Sequence, residues 1–139
     1  MLKRNTMVLL ALTLFSVTAF AGLSLPAPLI IEVFDDGSGN ARGDVTTVRN
    51  SEDDVSLIGC GVRTFEGGFR FGFCQAALEE EMNYTCFTED PTLLDTINGL
   101  SDFAFITFSW TDDGTGNLTC NSVGSSTQSF YLEGGKKVK

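Results

Sequence analysis

The sequence predicts an all-β fold, a small antiparallel β-sandwich or flattened barrel of about eight strands with one short crossover helix and two disulfides. Three observations predict it. From Leu29 onward, short runs rich in Val, Ile, Thr and Phe alternate with Gly/Asp/Asn/Ser clusters about every ten residues. No long amphipathic helical pattern competes with them. The four cysteines, Cys60, Cys74, Cys86 and Cys120, form an even set without a Cys-x-x-Cys, as expected of a stapled exported domain and not of a zinc knuckle or redox site.

The chain opens on Lys3 and Arg4, an uncharged run from Met7 to Phe20, and Ala19-Phe20-Ala21. This is the pattern of a cleavable signal peptide, with cleavage expected after Ala21. The apolar run is too short to span a bilayer, so no stable membrane insertion is expected after cleavage, and the product should be secreted or periplasmic. The expected organisation is signal peptide 1–21, one β-sandwich domain 22–133, and a flexible basic tail 134–139.

Strands are predicted at Leu29–Phe34, Asp44–Arg49, Val55–Phe65, Phe69–Leu78, Asn83–Thr88, Phe103–Thr111, Asn117–Val123 and Gln128–Leu132. Glu66-Gly67-Gly68 suits a three-residue hairpin loop, which sets Phe65 opposite Phe69 and, counting back, Cys60 opposite Cys74. That register leaves Cys86 for Cys120. A turn at Glu79–Glu81 would instead pair Cys74 with Cys86 and Cys60 with Cys120, and periodicity alone does not choose. In Phe69-Arg70-Phe71-Gly72-Phe73 the aromatic rings share one face, which is expected to form core. The Phe103–Thr111 run is apolar on much of both faces and is expected in the centre of the sheet. Between them, Asp90 caps and Pro91 opens a two-turn helix with Leu93, Leu94 and Ile97 on one side and Gly99 at its end. This helix should cover one open end of the sandwich.

Composition excludes several functions. The 139 residues include no histidine, so a Ser-His-Asp triad, a Cys-His pair and the usual zinc sites are missing an indispensable group. Removal of residues 1–21 takes away two cations and no acid. The remaining 118 residues carry seven Lys and Arg against eighteen Asp and Glu, a formal charge of −11. Such a surface repels phosphate backbones, so nucleic acid is not an expected partner.

The strings Asp35-Asp36-Gly37-Ser38-Gly39-Asn40 and Asp112-Asp113-Gly114-Thr115-Gly116-Asn117 repeat one motif. Asp-Gly and Gly-Asn steps suit tight hairpin turns. The alternative is a pair of calcium loops, with Asp35, Asp36 and Asn40 in one and Asp112, Asp113 and Asn117 in the other offering hard oxygen ligands, although neither matches the EF-hand pattern. Trp110, the single tryptophan, stands beside the second turn and is the candidate ligand-stacking residue; its competing assignment is core.

The function expected from these residues is that of an exported, non-enzymatic binding or assembly module attaching to an extracellular glycan or protein. A calcium-stabilised surface or filament subunit is the alternative, and a small carboxylate-dependent hydrolase a distant third. No cofactor is required, and calcium is the one candidate ion. No catalytic residue is assigned.

Overall fold

The computed structural model describes residues 23–132 and the backbone of 136–137. The expected signal peptide therefore lies outside the described residues. In chain order the elements are β1 (Leu23–Ser24), β2 (Ile30–Val33), β3 (Gly39–Asp44), α1 (Val45–Arg49), β4 (Leu57–Thr64), β5 (Arg70–Glu79), β6 (Met82–Thr88), α2 (Pro91–Asn98), β7 (Phe105–Asp112), β8 (Leu118–Ser126), a 3-10 turn at Ser129–Tyr131, and β9 (Lys136–Lys137). The fold is all-β, as expected, and among the described residues only α2 is a helix longer than five residues. Within the expected tail, Lys136–Lys137 pair in parallel with Leu23–Ser24.

Seven strands form one mixed sheet in the order β2-β3-β7-β8-β6-β5-β4. It is not closed, since no ladder joins β2 to β4. It nevertheless curls on itself, because β2 touches β5 and β3 touches β4, strands far apart in the sheet order. The space so enclosed holds the core, including Leu29, Ala41, Val48, Ile58, Ile106, Phe108 and Trp110. β7 lies inside the sheet, flanked by β3 and β8, as expected, but only one of its faces is apolar: Ile106, Phe108 and Trp110 are buried while Thr107 and Thr111 on the other face are exposed.

Local turn chemistry builds the hairpins. At Phe65–Phe69 the Phe65 N–H donates to the Phe69 carbonyl at 2.8 Å and the Gly68 N–H returns to the Phe65 carbonyl at 3.0 Å. Gly67 and Gly68 have φ of +92° and +89°, a region closed to most side chains. The same pair of bonds closes Phe34–Ser38, with Gly37 at φ +78°. The predicted register follows: Cys60 stands opposite Cys74 and the two are bonded, with Cys86 bonded to Cys120.

Every ladder of the large sheet is antiparallel except β6–β8, which is parallel and has only two register pairs, Cys86↔Leu118 and Phe87↔Thr119. This seam joins the unit β2-β3-β7-β8 to the unit β6-β5-β4, and the Cys86–Cys120 bond crosses it.

α2 forms as its sequence dictates. Asp90 Oδ1 accepts the Thr92 and Leu93 N–H groups at 2.8 and 3.1 Å, Pro91 opens the helix, and the Gly99 N–H caps the Asp95 and Thr96 carbonyls. Leu94 and Ile97 are buried, and the helix packs on β4, β5 and β8, covering the core as a crossover.

Two strand predictions are corrected. Asp44–Arg49 is not a strand, because Asp44 ends β3 and caps α1. Its fully buried carboxylate accepts the Thr47 N–H through Oδ1 and the Ala27 N–H through Oδ2, both at 2.8 Å. That cap and the burial of Val48 outweigh the strand preference of Val45-Thr46-Thr47-Val48. The strand lies just upstream, in Gly39–Asp44, where β propensity is low and small residues are needed for contact with Trp110 and Leu29. Gln128–Leu132 turns at Ser129–Tyr131 instead of extending; there Tyr131 stacks on Phe105 at 5.5 Å and the Phe130 carbonyl accepts the Leu25 N–H.

Loss of the seam disulfide should be the more disruptive of the two cysteine losses. The Cys86→Ser/Cys120→Ser double variant should lose about 3 to 4 kcal/mol in denaturant unfolding. Amide exchange at Phe87 and Thr119 should rise while the β4–β5 ladder stays protected. Equal protection at both places in that variant would show that the seam does not depend on the bond.

Candidate functional site

Alternation along β5 puts Gly72, Cys74 and Ala76 on one face and Phe71, Phe73 and Gln75 on the other. The structure turns the small residues inward. Cys74 and Ala76 are fully buried, and Gly72 lies beneath α2, where a methyl group would sit 2.8 Å from Ile97 Cδ1 and 2.9 Å from Leu94 Cδ2. Period two then sends the rings outward, which corrects the expectation that the Phe69–Phe73 stripe forms core. Cys86 follows Cys74 in register, so Phe87, opposite Phe73, also points away from the core.

The result is an aromatic surface on the outside of the curled sheet. Phe65, Phe69 and Phe87 are each about half exposed, at 51, 53 and 51%. Phe71 ties them together, with ring centroids 5.9 Å from Phe65, 6.2 Å from Phe69 and 6.0 Å from Phe87. Phe73 continues the row over Gly61, with the Arg63 guanidinium 5.1 Å from its ring centre. Beside the rings runs a cleft of about 920 Å³. Phe69, Phe71 and Phe87 form one wall, Thr92 and Leu93 of the first turn of α2 another, and Thr119 and Asn121 of β8 a third. Glu89 and Asp90 stand where β6 passes into α2.

The repeated acidic turns are brought to one end of the sheet. β3 and β7 pair antiparallel with Gly39 opposite Trp110, so the β2–β3 and β7–β8 turns adjoin, and a methyl on Gly37 would fall 2.9 Å from Asp112 Oδ2. Their carboxylates serve their own turns. Asp36 Oδ1 accepts the Ser38 N–H and hydroxyl; Asp112 Oδ1 accepts the Gly114 and Gly116 N–H groups. Asp113 accepts the Thr115 N–H and hydroxyl and the Asn117 side-chain amide. Asn40 points to the opposite flank, where its Oδ1 accepts from Arg42, itself paired with Glu32 at 3.0 Å. Asp35 lies exposed on the first turn. Among the described residues no cluster of three acidic, cysteine or histidine side chains is placed to hold a metal ion.

Trp110 lies in the core. It is 1% exposed, stacks on Tyr84 at 5.0 Å, and donates its indole N–H to the Gly37 carbonyl at 3.1 Å. The expectation that it stacks a ligand is corrected, since no ligand can reach a ring closed on both sides. Gly39 makes this burial feasible: a methyl there would lie 2.5 Å from Trp110 Cζ2 and 2.5 Å from the Glu32 carbonyl oxygen.

Hydrogen bonds to the anion hold two turn carboxylates down. The Thr115 hydroxyl and N–H lower Asp113 to about 2, and the Ser56 and Val55 N–H groups lower Asp53 to about 2. The Ser38 hydroxyl lowers Asp36 in the same way.

The outward rings were missed from sequence because large aromatics were assigned to the core. The available signal was parity: Gly72 and Ala76 share a face with Cys74, and a disulfide in a small domain is buried.

No protein-family model, no curated protein and no solved structure matches the chain. The two disulfides are consistent with an oxidising compartment, and no helix among the described residues is long and apolar enough to cross a membrane.

Two measurements check this geometry. Carboxyl NMR titration should give midpoints near 2 for Asp113 and Asp53. Since the folded turn favours the anion, the stability it adds is present above pH 4 and is lost as the pH falls toward 2. Midpoints at the ordinary aspartate value would contradict the turn bonds. Gly39→Ala should lower stability by about 2 to 3 kcal/mol and red-shift Trp110 emission as the indole is displaced; an unshifted spectrum would contradict the packing.

Proposed function

We propose that the protein is an exported, non-enzymatic binding module that attaches to a partner protein through its phenylalanine surface. The observation that carries this is the exposure of Phe65, Phe69 and Phe87, each about half open to solvent on one continuous face beside a cleft. A stable domain exposes a contiguous apolar patch at a cost in solubility, and such patches mark places that a partner covers. These rings add little to the protein's own core, which is filled by Phe108, Trp110, Ile106 and the small face of β5.

Export is supported by the charged and apolar leader pattern of residues 1–21 and by the two disulfides. A binding role is supported by the chain's composition. The sequence contains no imidazole, and its lysines after residue 21 are confined to 136, 137 and 139, so histidine-dependent and Schiff-base chemistry lack their usual groups. A protein partner is favoured over a glycan because the one indole is buried and the exposed rings are all phenylalanine, which cannot hydrogen-bond.

The test is a Phe69→Ser/Phe87→Ser variant. Binding of the apolar dye ANS to the folded protein should fall to roughly half or less, with a loss of about 1 to 2 kcal/mol in stability, because both side chains are already half exposed. In affinity capture from the exported fraction, this variant should lose the proteins retained by the native chain. Unchanged dye binding together with an unchanged set of captured proteins would overturn the proposal.

A further inference from the structure

We infer that the cleft beside the phenylalanine surface takes a basic-apolar peptide segment, one in which Arg or Lys stands between apolar residues; this rests on the binding reading above and names its ligand class. Three observations converge. First, the apolar side chains Phe69 and Phe87 on one wall and Leu93 on another share the cleft with two adjacent acids, Glu89 and Asp90, and no Lys or Arg lines it. Both acids are exposed; Asp90 Oδ1 is committed to the N–H groups of Thr92 and Leu93, which leaves its Oδ2 and the whole Glu89 carboxylate for an incoming cation. Second, the chain after residue 21 has a formal charge of −11, a field that draws a cationic segment toward the molecule and repels an anionic one. Third, the same row of rings already accepts a cation from within the chain, the Arg63 guanidinium 5.1 Å from the centre of Phe73. A second guanidinium or ammonium over Phe87, within reach of Glu89, would repeat that arrangement between molecules, with flanking apolar side chains on Phe69 and Leu93. Asn121 also lines the β8 wall; its Oδ1 is taken by the Ser109 hydroxyl, which leaves its Nδ2 as a donor for a backbone carbonyl of an extended segment.

The experiment is fluorescence anisotropy with a fluorescein-labelled peptide alternating Leu or Phe with Arg, against a counterpart in which Ser replaces every Arg. The proteins are the native chain, Glu89→Gln, Phe87→Ser, and Glu52→Gln as a charge-matched control at the far end of β4. Trp110 emission reports that each variant is folded. The Arg peptide should bind, more weakly at high salt, and the Ser peptide should bind at least several-fold more weakly. Glu89→Gln should weaken the Arg peptide roughly three- to tenfold and Phe87→Ser by at least as much, while Glu52→Gln should change little. If the Ser peptide binds equally well, or Glu52→Gln weakens binding as much as Glu89→Gln, the basic ligand class is overturned, while sensitivity to Phe87→Ser still supports the surface. If the Arg peptide fails to bind, or binds without regard to Phe87, the ligand class falls. Only the ANS and capture results for Phe69→Ser/Phe87→Ser then decide the surface itself.

Discussion

The Cys86–Cys120 bond holds the sheet together where its hydrogen bonding is thinnest. Each unit on either side of the seam is built from antiparallel ladders of four to eight register pairs, whereas β6 and β8 share two. Without that link, β6-β5-β4 is a three-stranded meander and β2-β3-β7-β8 a separate four-stranded antiparallel unit, each with a bare inner face. With it, the sheet can curl so that β2 and β3 meet β4 and β5 and enclose one core. The bond also requires Cys86 and Cys120 to share a face, and both are buried on the core side.

Orientation follows from that choice. Cys74 and Cys86 are register partners, so when Cys86 faces inward Cys74 does too, with Gly72 and Ala76 beside it. The inner face of β5 is then made of small residues, and the space they leave is filled by Leu94 and Ile97 of α2 from one side and by Phe108 and Trp110 of β7 from the other. Large rings on the inner face would leave no room for the helix. The phenylalanines are outside because the inside is already occupied, and the candidate site is a product of core packing as much as of any local motif.

Features set within about ten residues were legible in the sequence. The Glu66-Gly67-Gly68 loop fixed the Cys60–Cys74 register, and Asp90-Pro91 with Gly99 bounded α2, because caps and turns are satisfied by their immediate neighbours. Features set by distant partners were not. Asp44 reads locally as strand because the bond that completes its cap, from the Ala27 amide, comes from seventeen residues away. Local sequence leaves Trp110 open between ligand stacking and core because its hydrogen-bond acceptor, the Gly37 carbonyl, is seventy-three residues distant. β3 was hidden because Gly39, Ala41 and Gly43 are selected for close approach and not for strand propensity. The binding surface needed the same long-range knowledge: alternation identified the two faces of β5 but not which of them the helix would cover.

The outward orientation of the rings can be measured residue by residue by hydroxyl-radical footprinting of the native protein with mass-spectrometric readout. Phe65, Phe69 and Phe87 should be oxidised rapidly, while Phe108 and Trp110 stay protected until the chain unfolds. Protection of Phe69 and Phe87 to the level of Phe108 would mean that β5 carries its aromatic face inward, and would contradict both the packing and the site derived from it.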